Sequence, residues 1–347
     1  MSEIDIRKVG PVGRITLNRP KALNAVTLPM IHAIAAVLPE WAADETVRMV
    51  IIDAEGEKAF SAGGDIADIY AGLVAGDFEV ARQFWRDEYP VNAALHHFPK
   101  PVVSFLQGFT MGGGVGVGCH ASHRVVGDTS RIAMPECGIG LVPDVGGSLL
   151  LARAPGHVGE YLGTTAYRMG PGDAIFAGFA DYYLPESAWP EVIARLEASG
   201  DVADLLSAVT TRPDAPLAQD QDLIDAHFGG GSFREILASL SGSDQDWAAK
   251  TLRRLTANAP LAMAATVELV RRARRADTIE AALTNEYRFA HRVAAQGDFR
   301  EGIRAAIIDK DKSPNWAHDA PDGAGEDEVA AMLAPLGDDE LLLEERP

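Results

Sequence analysis

The chain of 347 residues contains two cysteines, Cys119 and Cys137. They form neither a metal-ligand spacing nor a disulfide framework, which fits a reducing compartment. No apolar run reaches the length needed to span a bilayer. Excess positive charge is also missing: the net charge of −19 argues against nucleic acid and anionic membranes as partners. It does not exclude a small anionic ligand, since helix N-termini and a few Lys/Arg act locally. The N-terminus shows neither a basic-then-apolar signal nor an Arg/Ser-rich, acid-poor transit segment, so the expectation is a cytoplasmic protein. The sequence has no G-x-S-x-G elbow, no H-E-x-x-H and no Walker A motif. Internal repeats and long low-complexity linkers are absent too.

What remains is a chain of 47 % hydrophobic and 23 % charged residues, the composition of a soluble globular protein. Residues 1–17 read as two short strands, the second Val12–Leu17. Helical spacing of Met30, Ile31, Ile34, Val37, Leu38 and Trp41 predicts a helix over 27–43. Buried strands are expected at 48–53 and 101–106 and a further strand at 123–126, with a helix over about 78–98. Strands alternating with helices predict an α/β fold with a largely parallel sheet. Beyond about residue 190 the pattern turns helical, at 190–209, 217–240, 245–276, 278–296 and 300–309. Three regions are expected: an α/β core over 1–190, a helical region over 191–317 packed on it, and an acidic, partly flexible tail over 318–347. Between Asp319 and Glu345 there are ten acidic residues and no basic one.

Three segments carry chemistry. In Ser61-Ala62-Gly63-Gly64-Asp65, paired glycines at a strand-to-helix junction allow close approach to bare N–H groups; alone, this reads better as a tight turn with Asp65 near a helix start. In Met111-Gly112-Gly113-Gly114-Val115-Gly116-Val117-Gly118, each glycine costs a helix roughly 1 kcal/mol relative to alanine. No G-x-G-x-x-G register fits a dinucleotide site there. Close helix packing accounts for the glycines, and so does an N–H presented at a helix N-terminus. Two such donors, one from each loop, make an oxyanion hole. The third segment, Met134 to Gly147, sets Glu136 and Asp144 eight residues apart among apolar residues, glycine and proline. Either acid alone reads as a cap or turn residue. As a pair, one attacks or activates water while the other handles a proton. Cys137, beside Glu136, reads as a small buried thiol, and His96, His97, His120 and His123 as surface or core residues rather than a metal site.

These three loops in this order, with Ile15-Thr16-Leu17-Asn18-Arg19-Pro20-Lys21-Ala22-Leu23-Asn24-Ala25 before them, resemble the crotonase (enoyl-CoA hydratase/isomerase) superfamily over about residues 8–185. Phe84-Trp85-Arg86-Asp87-Glu88-Tyr89, Asp144, and Gly297-Asp298-Phe299-Arg300-Glu301-Gly302 through Pro314-Asn315-Trp316 are more narrowly similar to its 3-hydroxyisobutyryl-CoA hydrolases, extending the match to about residue 317. The resemblance implies a spiral of ββα repeats and hydrolysis of a short branched β-hydroxyacyl-CoA in valine catabolism. It implies that the N–H groups of Gly64 and Gly113 hold the thioester oxygen. Glu136 takes the place of a catalytic glutamate, Asp144 that of the hydrolases' aspartate, and Glu88 lines the acyl pocket. Gly63, Asp65 and Gly112 flank the donors, and Lys21 or Arg19 is a candidate for the CoA phosphates. Gly116 stands where hydratases keep a second glutamate, which argues against hydration. CoA belongs to the substrate and no cofactor or metal is required; the superfamily often forms trimers or hexamers, so a homo-oligomer is open to this chain, as is a form in which the helical C-terminus covers the surfaces used. The alternatives are another crotonase-fold reaction, or a non-catalytic acyl-CoA-binding protein.

Overall fold

The structure is a computed structural model and describes residues 2–343. Apolar runs dictate its sheets. Met49-Val50-Ile51-Ile52 and Val102–Leu106 are buried along their whole length, the pattern of strands covered on both faces. Strands β1 (Ile4–Val9), β2 (Val12–Leu17), β3 (Met49–Ala54), β5 (Val102–Leu106), β7 (His123–Val126) and β9 (Tyr182–Tyr183) form one sheet in that order. Only β1 and β2 pair antiparallel; the other neighbours are parallel. A second, all-parallel sheet joins β4 (Ala59–Ser61), β6 (Phe109–Met111) and β8 (Arg131–Ala133). Each pass of the chain thus lays one strand in the large sheet and the next in the small one, β3 then β4, β5 then β6, β7 then β8. This is the expected ββα repeat. The small strands have three residues each, too few to show a period, and the sequence pattern did not reveal them.

The contacts divide the chain into two interleaved units. The first holds the residues up to Gly64, Pro90–Ala133 and Arg168–Ala218; the second holds Asp65–Tyr89, Met134–Tyr167 and the residues from Gln219 on. This partition cuts across the serial boundaries expected at 190 and 317, because the chain leaves the first unit and re-enters it twice.

In the first unit, Val12, Met49, Ile51, Val103, Phe105 and Val125 pack against Leu184, Trp189, Val192, Leu196 and Leu205. The Phe105 and Trp189 rings lie 5.2 Å apart, and Trp189 Nε1–H donates to the Leu184 carbonyl at 2.9 Å. The helix Leu28–Ala43 buries the six residues its spacing marked.

The second unit is mostly helical, and its helices are shorter than the spacing suggested. The stretch 217–240 breaks into Pro216–Gln219, Gln221–Phe228 and Phe233–Ser241, with Gly229-Gly230-Gly231 in the second gap. The stretch 245–276 divides before Pro260, whose ring stops a helix but suits the first turn of the next. Likewise 190–209 breaks at Gly200, in the first unit. Within the acidic C-terminal segment, expected as a partly flexible tail, the residues up to 343 include a helix and buried side chains. Glu326–Met332 is helical, Val329, Met332, Leu333 and Leu341 are buried, and Glu340 is ion-paired with Arg288. Its apolar residues supply the anchoring that a count of charges overlooks. Residues 344–347 of the expected tail lie outside the described residues. Among the described residues, no helix is long and apolar enough to cross a membrane.

Candidate active site

The backbone donors belong to the first unit. Strand β4 delivers Ser61 to a turn in which Ala62 N–H donates to the Leu23 carbonyl at 3.0 Å and Val26 N–H donates to the Gly63 carbonyl at 2.9 Å. Asn24 ties down the other side, its Nδ2 donating to the Glu55 and Ala59 carbonyls at 2.9 Å each. Strand β6 ends at Met111, and Gly112 turns the chain into the short helix Gly113–Gly118. The Gly113 N–H lies in the first turn, where helix geometry leaves donors without an intrahelical acceptor. The two loops abut. Gly63 has φ 116°, and a Cβ built on it would lie 3.4 Å from the Met111 carbonyl oxygen and 4.0 Å from Gly113 N. A Cβ on Gly114 would sit 2.5 Å from the Ser61 carbonyl oxygen. The glycine density, open in the sequence between packing and donor presentation, serves packing at Gly114 and leaves the Gly113 amide beside the Gly63 turn.

The carboxylates belong to the second unit. Glu136 opens a 3₁₀ turn, Glu136–Ile139, closed by Gly140 at φ 75°. The Leu141 N–H donates to the Glu136 carbonyl at 3.0 Å. Asp144 lies in the next turn, and Glu88 on the helix Glu79–His96. All three are at least 96 % buried. Tyr89 Oη donates to Asp144 Oδ2 at 2.9 Å. Buried carboxylate oxygens Glu88 Oε1 and Glu136 Oε2 have no hydrogen-bond partner among the described residues. An unpartnered buried carboxylate oxygen is costly unless it is neutralised or reserved for a ligand.

Burial pushes the Asp144 carboxyl up to about 7. It also raises Glu136 and Glu88 well above the usual carboxylate range, with Asp144's charge adding to both. Glu286, missed in the sequence, joins them at 0 % exposure, and burial lifts it to about 8. The signal for Glu286 was present: it occupies the same helical face as Ile279, Ala282, Leu283, Tyr287 and Ala290, all buried, where a solvated acid has no place.

These acids hold protons more tightly folded than unfolded. Their contribution to stability is therefore present below the unfolded carboxylate range and is lost as pH rises through about 7 to 8. The thermal midpoint is expected to fall between pH 6 and pH 9 (about 2 °C or more, the shift that ~1 kcal/mol produces in a large domain). Asp144→Asn should flatten that slope in a calorimetric pH series; an unchanged slope contradicts the assignment.

The hydrolase-like signatures meet beside these acids. The Trp85 and Phe299 rings lie 5.6 Å apart. A Cβ on Gly302 would lie 2.2 Å from the Ile139 carbonyl oxygen, and one on Gly140 would lie 2.5 Å from the Asp298 carbonyl carbon. The C-terminal signature therefore braces the Glu136 turn through contacts that only glycine permits.

Asp65 precedes the helix Ala67–Ala75 and is half-buried. Lys21 is exposed on the turn Pro20–Ala22. Arg19 is committed, pairing with Glu3 at 3.0 Å and donating to the Ala25 carbonyl at 2.6 Å. The Cys137 thiol lies 3.2 Å from Thr266 Oγ1, and burial pushes it up to about 12, which removes it as a nucleophile. The His96 ring packs edge-on against His97 and His120, at 5.1 and 5.7 Å.

A largely parallel sheet beside a small parallel one, built from ββα repeats, defines the crotonase class of fold. The sequence pattern of the enoyl-CoA hydratase/isomerase family matches residues 12–333, and the chain belongs to that family. A 3-hydroxyisobutyryl-CoA hydrolase, mitochondrial, from Danio rerio is 37 % identical over 99 % of this chain and 92 % of its own. Two crystal structures superpose with a TM-score of 0.94 each. One is described as an enoyl-CoA hydratase from Rhodobacter sphaeroides 2.4.1 (54 % identity, 99 % of this chain, 100 % of that one). The other is described as a carnitinyl-CoA dehydratase from Mycobacterium thermoresistibile (39 % identity, 100 % of both chains).

Proposed function

We propose that this enzyme hydrolyses a short branched β-hydroxyacyl-CoA, with 3-hydroxyisobutyryl-CoA as substrate, releasing the free acid and CoA as a step of valine catabolism. The observation that carries the reading is the buried Glu136–Asp144 pair, together with glycine at position 116. Hydration across a double bond in this family needs a second glutamate at that position, and this chain has none. The solved structures described as a hydratase and a dehydratase favour the second reading, water addition or removal; the relatives named as hydrolases favour the first.

In the proposed reaction the thioester oxygen gains negative charge and the Gly64 and Gly113 N–H groups hold it. A fixed donor pair of this kind acts on the transition state more than on the substrate. Glu136 attacks the carbonyl carbon. The carbon–sulfur bond breaks, the leaving CoA thiolate takes a proton from the acid cluster, and an acyl–Glu136 anhydride remains. Asp144 then takes a proton from water, which opens the anhydride. Glu88 receives the substrate hydroxyl. Gly63, Asp65 and Gly112 shape the two donor loops, and Lys21 meets the CoA phosphates; Arg19 is already paired. No metal or recycled cofactor enters these steps. The cytoplasmic location belongs to this proposal, whereas the animal relative is named mitochondrial.

A single turnover in ¹⁸O-water tests the chemistry. Label is expected in the Glu136 carboxyl as well as in the product acid. Label in the product alone removes the anhydride and leaves Glu136 as a general base.

A further inference from the structure

We infer that Glu286 and Tyr287, neighbours on the helix Ile279–Val293, are positioning residues that fix Asp144 by two separate routes. The inference rests on the hydrolytic role proposed for Asp144. The first route runs through the backbone. Val145 and Gly146 follow Asp144 with φ of 54° and 77°, two successive left-handed residues. For a β-branched residue such a conformation persists only where the surroundings over-determine it. Glu286 does this. Its Oε2 accepts the Gly146 N–H at 2.8 Å, its Oε1 accepts the Ser148 N–H at 2.9 Å, and the Ser148 hydroxyl donates to the same Oε1. The Gly147 N–H closes the turn onto the Asp144 carbonyl at 2.7 Å.

The second route runs through the side chain. The Tyr287 ring meets the Tyr89 ring edge-on, centroids 6.2 Å apart at 82°, and Tyr89 is the residue that donates to Asp144 Oδ2 at 2.9 Å. Both tyrosines are 0 % exposed. One turn of helix thus holds Asp144 twice, through its own loop and through its hydrogen-bond donor.

A purely structural cap explains less. Ser, Thr, Asn or Asp at the head of the helix Gly147–Arg153 would satisfy the same N–H groups locally. The chain instead brings a glutamate from some 140 residues away and buries its carboxyl beside other buried acids. That arrangement is costly, and it fixes the geometry of the one loop that carries Asp144.

The test is a double-mutant cycle with the full-length enzyme, together with ¹³Cγ-aspartate NMR in which Asp144→Asn identifies the Asp144 resonance. Glu286→Gln is expected to lower kcat by about 10- to 100-fold, the loss typical of an outer-sphere partner, with KM little changed. In the Asp144→Asn background the same substitution should add almost nothing, since both act through one group. Tyr287→Phe, which keeps the ring, should retain activity, and Tyr287→Leu should lose it. The Asp144 resonance should shift in Glu286→Gln without substrate present. Additive losses with an unmoved resonance overturn the inference. Wild-type enzyme that releases no thiol from acyl-CoA esters, yet whose Asp144 resonance moves in Glu286→Gln, overturns the hydrolytic reading and supports the positioning.

Discussion

Glu136→Gln is expected to lower kcat for thioester hydrolysis by about 10³-fold, within the 10²–10⁴ range of positioned carboxyl groups, and to raise the thermal midpoint at pH 8. The paired outcome is what makes the prediction specific. Glu136 is 4 % exposed, one of its oxygens has no partner among the described residues, and burial, Asp144, Glu286 and Glu88 all oppose its ionisation. At pH 8 a neutral amide replaces a carboxyl whose ionised form burial and the neighbouring acids oppose, so the cost of holding that group in the fold is relieved. A residue kept for stability would behave the other way, its loss destabilising the fold. The measurement is kcat by free-thiol release beside a calorimetric scan of the same preparation. Activity within about 10-fold of wild type, or a lowered midpoint, contradicts the role.

The second large effect is expected at a residue that touches no substrate. Gly114→Ala places a methyl group 2.5 Å from the Ser61 carbonyl oxygen. That atom is backbone at the end of β4, so relief requires the helix Gly113–Gly118 and the Ser61–Gly64 turn to part. The Gly113 N–H then moves relative to the Gly63-Gly64 loop. Loss of one oxyanion donor costs on the order of 100- to 1,000-fold in kcat, and a displaced donor should approach that value with KM altered less. Gly170→Ala is the control, because a Cβ there meets nothing within 4 Å; its kcat should match wild type. If Gly114→Ala retains wild-type kcat, the glycine loops serve packing alone.

The parts of this fold that the sequence revealed are those with a repeating physical signal. Met30, Ile31, Ile34, Val37, Leu38 and Trp41 marked their helix and its buried face because six residues at helical spacing leave little choice. The runs at 49–52 and 102–106 marked strands buried on both faces. The small sheet β4-β6-β8 escaped notice because three-residue strands have no period, and it matters most for the site: β4 and β6 aim the two glycine loops. The breaks at Gly229–Gly231 and before Pro260 were written in the sequence and outweighed there by apolar spacing on either side. Of the acid set, Glu136 and Asp144 stood out among apolar neighbours and Glu88 came with a motif. Glu286 lies some 140 residues further on, and only its place on a buried helix face distinguished it. Tyr89 sat inside a quoted motif, but its bond to Asp144 depends on where two distant segments meet.

The most direct measurement follows two reactions of the wild-type enzyme in parallel: thiol release from 3-hydroxyisobutyryl-CoA and 3-hydroxypropionyl-CoA, and loss of the enoyl chromophore of crotonyl-CoA. Kinetic discrimination is read as the ratio of kcat/KM values. The proposed function predicts thiol release with the highest kcat/KM for 3-hydroxyisobutyryl-CoA and no comparable hydration of crotonyl-CoA. Efficient hydration without thiol release would contradict it.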